Sequence, residues 1–443
     1  MKKFTNSDFI RSVSVLVSGN VIAQIITLIT MPIVSRIYSL QAFGEFAIFS
    51  STASIVGGIA GLGMSSAIMA PKSNERSKEV VFTAFLSVIL VSLLFLISTL
   101  ILSPFLKLYK ISIPYHIAAI LMFLQIALTG LSSILSTYAN RLKKNRLLFF
   151  NTLITASATL FITIPLGLFG WGVIGFISAS LFAALIANIQ MLVQINPFSR
   201  ILNFKEITST FYEFRDYVRF QFPANLLTNF SIQLPNQMFS ATFGNIALGG
   251  YSMCERVMGY PIRLVAAPIA TIYFRHATQL INDNKKEELG RFSLRLTNRI
   301  LLAAFLPAVL FMGYASPLFS FVLGSKWGPA GEIAAILTIQ YILVFNNQCL
   351  SYCLVVVNRQ KTNLYISIAQ LFLIFGSIMA GILIFKDLKW TILVFSMGNV
   401  LVQSIYLTLN FYYLNISPMK IMRTLFLFIL GTLGMSALLH FKI

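Results

Sequence analysis

Apolar runs long enough to cross a bilayer follow one another along almost the whole chain, and no other feature leaves so few folds open. A spanning helix needs about 20 apolar residues. Such runs fall near 13–35, 42–69, 79–103, 114–140, 147–168 and 171–195. After a polar linker, 196–216, they resume at 217–243, 246–274, 296–322, 330–357, 362–385 and 390–414, and a last one lies near 421–440. The pattern reads as two sets of six helices plus a thirteenth. Composition agrees: the 443 residues are 57% hydrophobic and only 10% charged, with a mean hydropathy of +0.82. A soluble domain is about 25% charged, so this chain could not cover itself with polar surface. The expected class is an all-α integral membrane protein. The first run is longer than a signal peptide's apolar core and no A-x-A site follows it, so it reads as a retained helix.

The net charge is +20, from 33 Lys and Arg against 13 Asp and Glu. In a soluble protein such an excess would point to nucleic acid. Here the basic residues fall in alternate connections. With the N-terminus inside, the inner segments hold Lys2, Lys3 and Arg11, then Lys72, Arg76 and Lys78, then Arg141, Lys143, Lys144 and Arg146. The linker and its edge add Arg200, Lys205, Arg215 and Arg219. The loop after the eighth run carries Arg275, Lys285, Lys286, Arg291, Arg295 and Arg299, and Arg359, Lys361, Lys420 and Arg423 follow. Outer segments hold far fewer: Arg36, Lys107, Lys110, Lys326, Lys386, Lys389 and Lys442. This is the positive-inside bias of a multi-pass protein, and it accounts for the charge without nucleic acid. Cys254, Cys349 and Cys353 sit in apolar runs at a spacing that fits neither a usual zinc site nor a redox site. His116, His276 and His440 stand apart from one another, so no metal is expected.

The two sets of six match at one constant offset. Ser18–Gln24 (SGNVIAQ) falls on Pro223–Asn229 (PANLLTN), and Ala42–Ala47 (AFGEFA) on Ala247–Ser252 (ALGGYS). Six spans per half preserve orientation, giving a parallel repeat of the kind found in secondary transporters. The expected domains are a lobe over 1–195, a cytoplasmic linker over 196–216, a second lobe over 217–415 and an extra spanning helix in 416–443. In the first run Asn20, Gln24 and Thr27 share a face. In the seventh, Asn225, Asn229, Gln233 and Asn236 form a stripe. Amides in such stripes bond between packed helices or line a polar cleft; the four on the seventh run favour the cleft.

The eighth run carries charge inside apolar sequence: Glu255, Arg256 and Arg263 in YSMCERVMGYPIRLVAAP. Two helical turns separate the arginines, so they share a face, and Arg256 lies roughly 15 Å of rise into the helix. A central arginine costs about 3 kcal/mol on insertion scales, so each must face water or a partner. Glu255 points about 100° away from Arg256, which makes it a poor direct mate and leaves a charge-balancing or coupling role. An anion site in a wet cavity is the functional expectation, because the guanidinium fork bonds two phosphate oxygens at once. Gly259 and Pro261 between the arginines are expected to loosen the helix.

No nucleotide-binding G-x-x-x-x-G-K-[ST] occurs, and neither G-x-S-x-G nor H-E-x-x-H is present. No catalytic residue and no cofactor is expected, with ion or proton coupling left open. Ser18–Met69 nevertheless resembles the N-terminal part of bacterial polysaccharide exporters of the Wzx flippase type, through its helix-1 Gly-Asn, MPIVSRIYS, the F-G-E-F turn and a Gly-rich end. Phe243–Ile269 resembles the second-half signature of the same group, part of the multidrug/oligosaccharidyl-lipid/polysaccharide exporters. The resemblance implies a MATE-like fold of two six-helix lobes working by alternating access in the bacterial inner membrane. Its implied substrate is an undecaprenyl-pyrophosphate-linked oligosaccharide repeat unit for O-antigen or another surface polysaccharide. A polysaccharide polymerase and a chain-length regulator are the implied partners, beside membrane lipids. The diphosphate would meet Arg256 and Arg263, with Asn20, Gln24, Asn225, Asn229, Gln233 and Asn236 as further substrate contacts. Two alternatives stay open: a cation-coupled multidrug exporter of the same fold, which should expose acids, and a membrane polymerase, which should have a large outer loop.

Overall fold

The computed structural model describes residues 6–102, 111–198 and 203–440, and all regular structure among them is helical. Among the described residues, twelve helical segments are long and apolar enough to cross a membrane. One of them, Tyr217–Asn282, runs for 66 residues, enough for two crossings, and occupies the place of two expected runs. The non-helical residue Gly244 divides it between the expected runs 217–243 and 246–274. Large apolar side chains stay outside on helix after helix: Phe161 is 79% exposed, Leu302 78% and Phe321 82%. Patches of that extent are the lipid-facing surface of a multi-pass membrane protein.

The chain divides into two compact units, Met1–Gly249 and Gly250–Ile443. The first contains α1 (Asn6–Ile37), α2 (Leu40–Ile59), the single turn α3 (Met64–Ala67), α4 (Asn74–Ile101), α5 (Tyr115–Arg141), α6 (Asn145–Leu168) and α7 (Gly172–Ile195). A short linker helix, α8 (Phe204–Glu213), follows. Next comes α9 (Phe222–Asn282), a helical run interrupted at Gly244, where φ is 81°. The limb of α9 before the interruption belongs to the first unit. The limb after it leads into the second, with α10 (Lys286–Leu323), α11 (Gly328–Cys349), the turn α12 (Cys353–Val356), α13 (Gln360–Phe385), α14 (Leu388–Tyr413) and α15 (Pro418–His440). The two units repeat their helix pairings. In the first, α4 packs on α5, α5 on α7, and α6 on α7; in the second, α10 packs on α11, α11 on α14, and α13 on α14. These are the same steps in each half, as a parallel repeat requires.

Backbone chemistry explains where the helices stop. Ser39 caps α2 by accepting from Ala42 N at 3.1 Å, and Asp387 caps α14 by accepting from Trp390 N at 3.1 Å. Asn203 and Glu206 form a reciprocal capping box on α8, satisfying donors the linker helix could not pair internally. Inside the spans, hydroxyls donate back to carbonyls of the preceding turn: Thr27 to Ala23, Ser92 to Val88 and Thr432 to Phe428. That local bond lets an apolar helix carry Ser and Thr without an orphan polar group. The core of the first unit is a close meeting of Ala53, Ala60, Val80, Ala84, Val88, Ile126 and Ile134. In the second, Tyr273, Leu301, Leu343, Phe411, Leu425 and Phe428 bury α15 against α10 and α14, so the extra helix is packed as part of the unit.

Two expectations change. The run 42–69 is not one helix: α2 ends at Ile59. Leu62 (φ 47°) and Gly63 (φ 77°) then turn the chain. A Cβ on Gly63 would lie 2.6 Å from the Tyr217 carbonyl oxygen, so the site needs glycine for both conformation and space. Arg141 clamps the segment beyond by donating to the carbonyls of Ile68, Met69, Pro71 and Ser73 at 2.6–3.2 Å. Hydropathy could not see this break, because the residues remain apolar through it. Secondly, α9 stays helical through Gly259 and Pro261, and its non-helical residue is Gly244. The loosening expected between the arginines sits at the preceding turn.

Candidate functional site

The first unit holds a cavity of about 340 Å³ where α2 ends. The turn after α2 supplies Gly61, Gly63, Ser65, Ser66 and Met69, and α2 itself gives Gly58. From α5 come Ser133 and Thr137, and from the first limb of α9 comes Asn225. The break in the 42–69 run therefore makes the cavity: a continuous helix would fill this volume with its own side chains. Among the described residues, its walls carry hydroxyls, an amide, the Met69 side chain and glycine backbone, and no ionisable group. Such a surface bonds neutral polar groups in several directions and has no strong preference for charge.

The predicted amide stripe divides. Asn225 lines the cavity and accepts from Gln221 Nε2 at 3.0 Å. Asn229 lies against α2, and its Nδ2 would be 2.6 Å from a Cβ on Gly58. Further along, Asn236 Nδ2 donates to Gln233 Oε1 at 3.1 Å, while the buried Asn236 Oδ1 has no hydrogen-bond partner among the described residues. Asn20 is exposed on α1. Gln24 is half-buried, with its Oε1 enclosed and without a hydrogen-bond partner among the described residues. Neither is among the residues that line the 340 Å³ cavity. Sequence reading passed over Gln237, one residue off the stripe, which donates to Ser51 Oγ at 2.9 Å and Thr52 Oγ1 at 3.1 Å and ties α9 to α2.

The charged residues belong to the second unit. Glu255 and Arg256 are half-buried and engage other groups. Arg263 is exposed. Its guanidinium lies 5.0 Å from the centre of the Tyr260 ring and folds beside Gly259, where a Cβ would come within 3.3 Å of its Nη2. Ile262 and Ala266, by contrast, are buried against Ile300 and Cys349. The helix therefore packs by its apolar face and leaves Arg263 pointing away from the core. An exposed guanidinium this far along an apolar helix is costly against hydrocarbon and stable against water or an anion. Nearby, Asn346 accepts from Thr297 at 3.2 Å, and Asn347 donates to Gln403 Oε1 at 2.7 Å. The adjacent Asn346 and Asn347 inside an apolar run were the signal for this network, which sequence reading did not use. The described residues contain no group of three metal-ligating side chains.

A repeated helical bundle with polar cavities and intramembrane arginines defines the class: a multi-pass protein with the MATE-like fold of transporters and flippases. The family model described as "Polysaccharide biosynthesis protein" matches residues 33–332, and the chain belongs to that family. Among solved structures, it is similar to the lipid II flippase MurJ in an inward closed conformation, at 15% identity and a TM-score of 0.67, covering 96% of this chain and 99% of that one. It is also similar to an inward-facing multidrug resistance MATE family transporter of the MOP superfamily, at 15% identity and a TM-score of 0.65, covering 91% and 98%. At these identities the likeness establishes the fold. No curated protein matches the sequence.

Proposed function

We propose that this protein is a flippase for lipid-linked oligosaccharides. It would move undecaprenyl-pyrophosphate-linked repeat units across the bacterial inner membrane by alternating access, for O-antigen or another surface polysaccharide. The observation that carries the reading is Arg263, exposed on an apolar helix whose Ile262 and Ala266 are buried, with Arg256 two turns away on the same helix, in a chain of the polysaccharide biosynthesis family. A diphosphate and its sugars cannot enter hydrocarbon unpaired. Two arginine forks offer the diphosphate paired oxygen contacts, while neutral hydroxyls and amides, as at Asn225 and Ser133, suit uncharged sugars. The lipid tail need not leave the bilayer. No bond is made or broken, so the reading requires neither catalytic residue nor cofactor, and Glu255 balances part of the arginine charge. A polymerase and a chain-length regulator would take the product at the outer face. The absence of acids from the 340 Å³ cavity weighs against a carrier of cationic drugs.

The test is complementation of a strain lacking its own flippase. Expression of this chain should restore surface polysaccharide and clear the accumulated lipid-linked precursor. Drug resistance without restored export would replace the reading with the multidrug one. Orientation is checked separately. The native cysteines are buried, so a cysteine introduced at Ser73, Asn284 or Asn358 should label only from the cytoplasm, and one at Ser325 only from outside. Outside labelling at Asn284 would reverse the topology.

A further inference from the structure

The first unit has a second cavity, at the opposite ends of the same helices. It measures about 260 Å³ and lies between the start of α2, the residues leading into α5, and the α6–α7 turn. Ser39, Gln41, Glu45, Ser112 and Trp171 contribute to its walls. The charge bias of the loops places this end outside.

Glu45 is the unusual member. It is 1% exposed in the first half of a spanning helix. Three donors hold it: Gln41 Nε2 at 2.8 Å and Ser112 Oγ at 2.5 Å on Oε1, and Ser112 N at 3.1 Å on Oε2. No ion pair to Glu45 occurs among the described residues. The carboxylate is therefore fixed in place, and Oε2 keeps acceptor capacity that these bonds do not use.

Ligand chemistry can be chosen by elimination. A phosphate or other anion would be repelled by Glu45. A metal cation wants lone pairs, but Gln41 Nε2 and both Ser112 donors turn hydrogens toward the carboxylate, and no second acid lines the cavity. An apolar ligand would leave a buried carboxylate further desolvated. A neutral polyol meets every group present: its hydroxyls donate to Glu45, exchange bonds with the Gln41 amide and the Ser39 hydroxyl, and its C–H face lies on the half-exposed Trp171 indole. The volume falls just below the range of drug-sized pockets, the scale of a single sugar ring.

We propose that this pocket is a binding site for one uncharged sugar residue, with Glu45 as acceptor, Gln41 as specificity-determining amide and Trp171 as stacking wall. Resting on the flippase reading, its occupant is a sugar of the head group after it reaches the outer face.

The full chain in lipid nanodiscs, carrying W327F and W390F, leaves Trp171 as its one tryptophan. Its emission should shift saturably with at least one of galactose, N-acetylglucosamine, rhamnose and glucose, and should not respond to glucuronate. Loss of a hydrogen bond to a charged group weakens binding by about 10-fold or more, so E45Q should move the midpoint at least that far. Because Glu45 also holds Ser112, Q41A provides a second variant on an exposed position, with the same direction of change. No response to any neutral sugar, or an unchanged midpoint in both variants, overturns the site. The two readings fail separately. Normal complementation with no Trp171 response removes the sugar site alone, whereas a Trp171 response without complementation leaves a sugar site in a protein of another function.

Discussion

The same stretch of the repeat meets two different fates in the two halves. Residues 42–58 and 247–263 stand in register, glycine on glycine at Gly44 and Gly249. Where the second copy has Arg256 and Arg263, the first has Ser51 and Gly58; where the first has the buried Glu45, the second has Gly250. Ser51 accepts a bond from Gln237 and Gly58 lines a neutral cavity, whereas Arg263 stands exposed from an apolar helix. The difference teaches that the repeat fixes backbone geometry and leaves chemistry free. One copy packs closely and carries a buried acid, while the other carries two arginines on an apolar helix.

The glycines show what is shared. A Cβ on Gly44 would lie 1.7 Å from the Asn245 carbonyl oxygen, and one on Gly249 would lie 2.0 Å from that of Leu40. The start of α2 and residues 245–249 thus cross with backbone against backbone, and the pseudo-equivalent glycines meet each other. No side chain fits at that crossing, which is why both copies keep glycine there.

The largest effect should come from the charged copy. R256A/R263A should insert at normal abundance yet fail to export polysaccharide, since losing a hydrogen-bonded charge contact to the enclosed diphosphate costs about 2–5 kcal/mol in binding, roughly 30-fold or more. Lysine at both positions should restore little, because it lacks the two-pronged fork. Normal export by the double alanine variant at normal protein level would make the arginines structural and erase the contrast between the copies.

A smaller effect should follow at the shared crossing. G44A forces backbone apart, and overpacking of this kind costs about 1–3 kcal/mol; its melting temperature in detergent should fall. G250A should be tolerated, because its Cβ would meet Ile333 Cδ1 at 3.5 Å and Ala330 Cβ at 3.9 Å, both ordinary contacts. Equal stability of the two variants would mean the crossing is not tight. The smallest effect belongs to the neutral copy: Q237L removes the bonds to Ser51 and Thr52 and should lower stability by about 1 kcal/mol or less, with export retained. A total loss of export there would give Gln237 a transport role and blur the division of labour.

Much of this was legible in the chain. Run lengths located nearly every spanning helix, because a bilayer imposes one length and one polarity on anything that crosses it. The repeat showed through matching Gly44 and Gly249, since a backbone contact tolerates no substitution. The arginines announced themselves by their cost in an apolar run. Sequence reading named Asn225 and Asn229 as polar faces and missed Gln237, Asn346 and Asn347, whose partners lie on other helices.

The sequence by itself determined the solvent this protein lives in, where along the chain most of its spanning segments fall, and which residues were too polar to be accidental. Only the tertiary structure decided that the 42–69 run breaks at Gly63 and opens a cavity, that Glu45 is buried and held by a residue from a distant segment, and that Arg263 projects while its neighbours Ile262 and Ala266 are enclosed. Hydropathy averages along the chain, whereas cavities and hydrogen-bond partners arise from residues far apart in it. Whether a polar group is satisfied, orphaned or poised for a ligand depends on what the fold brings to its side.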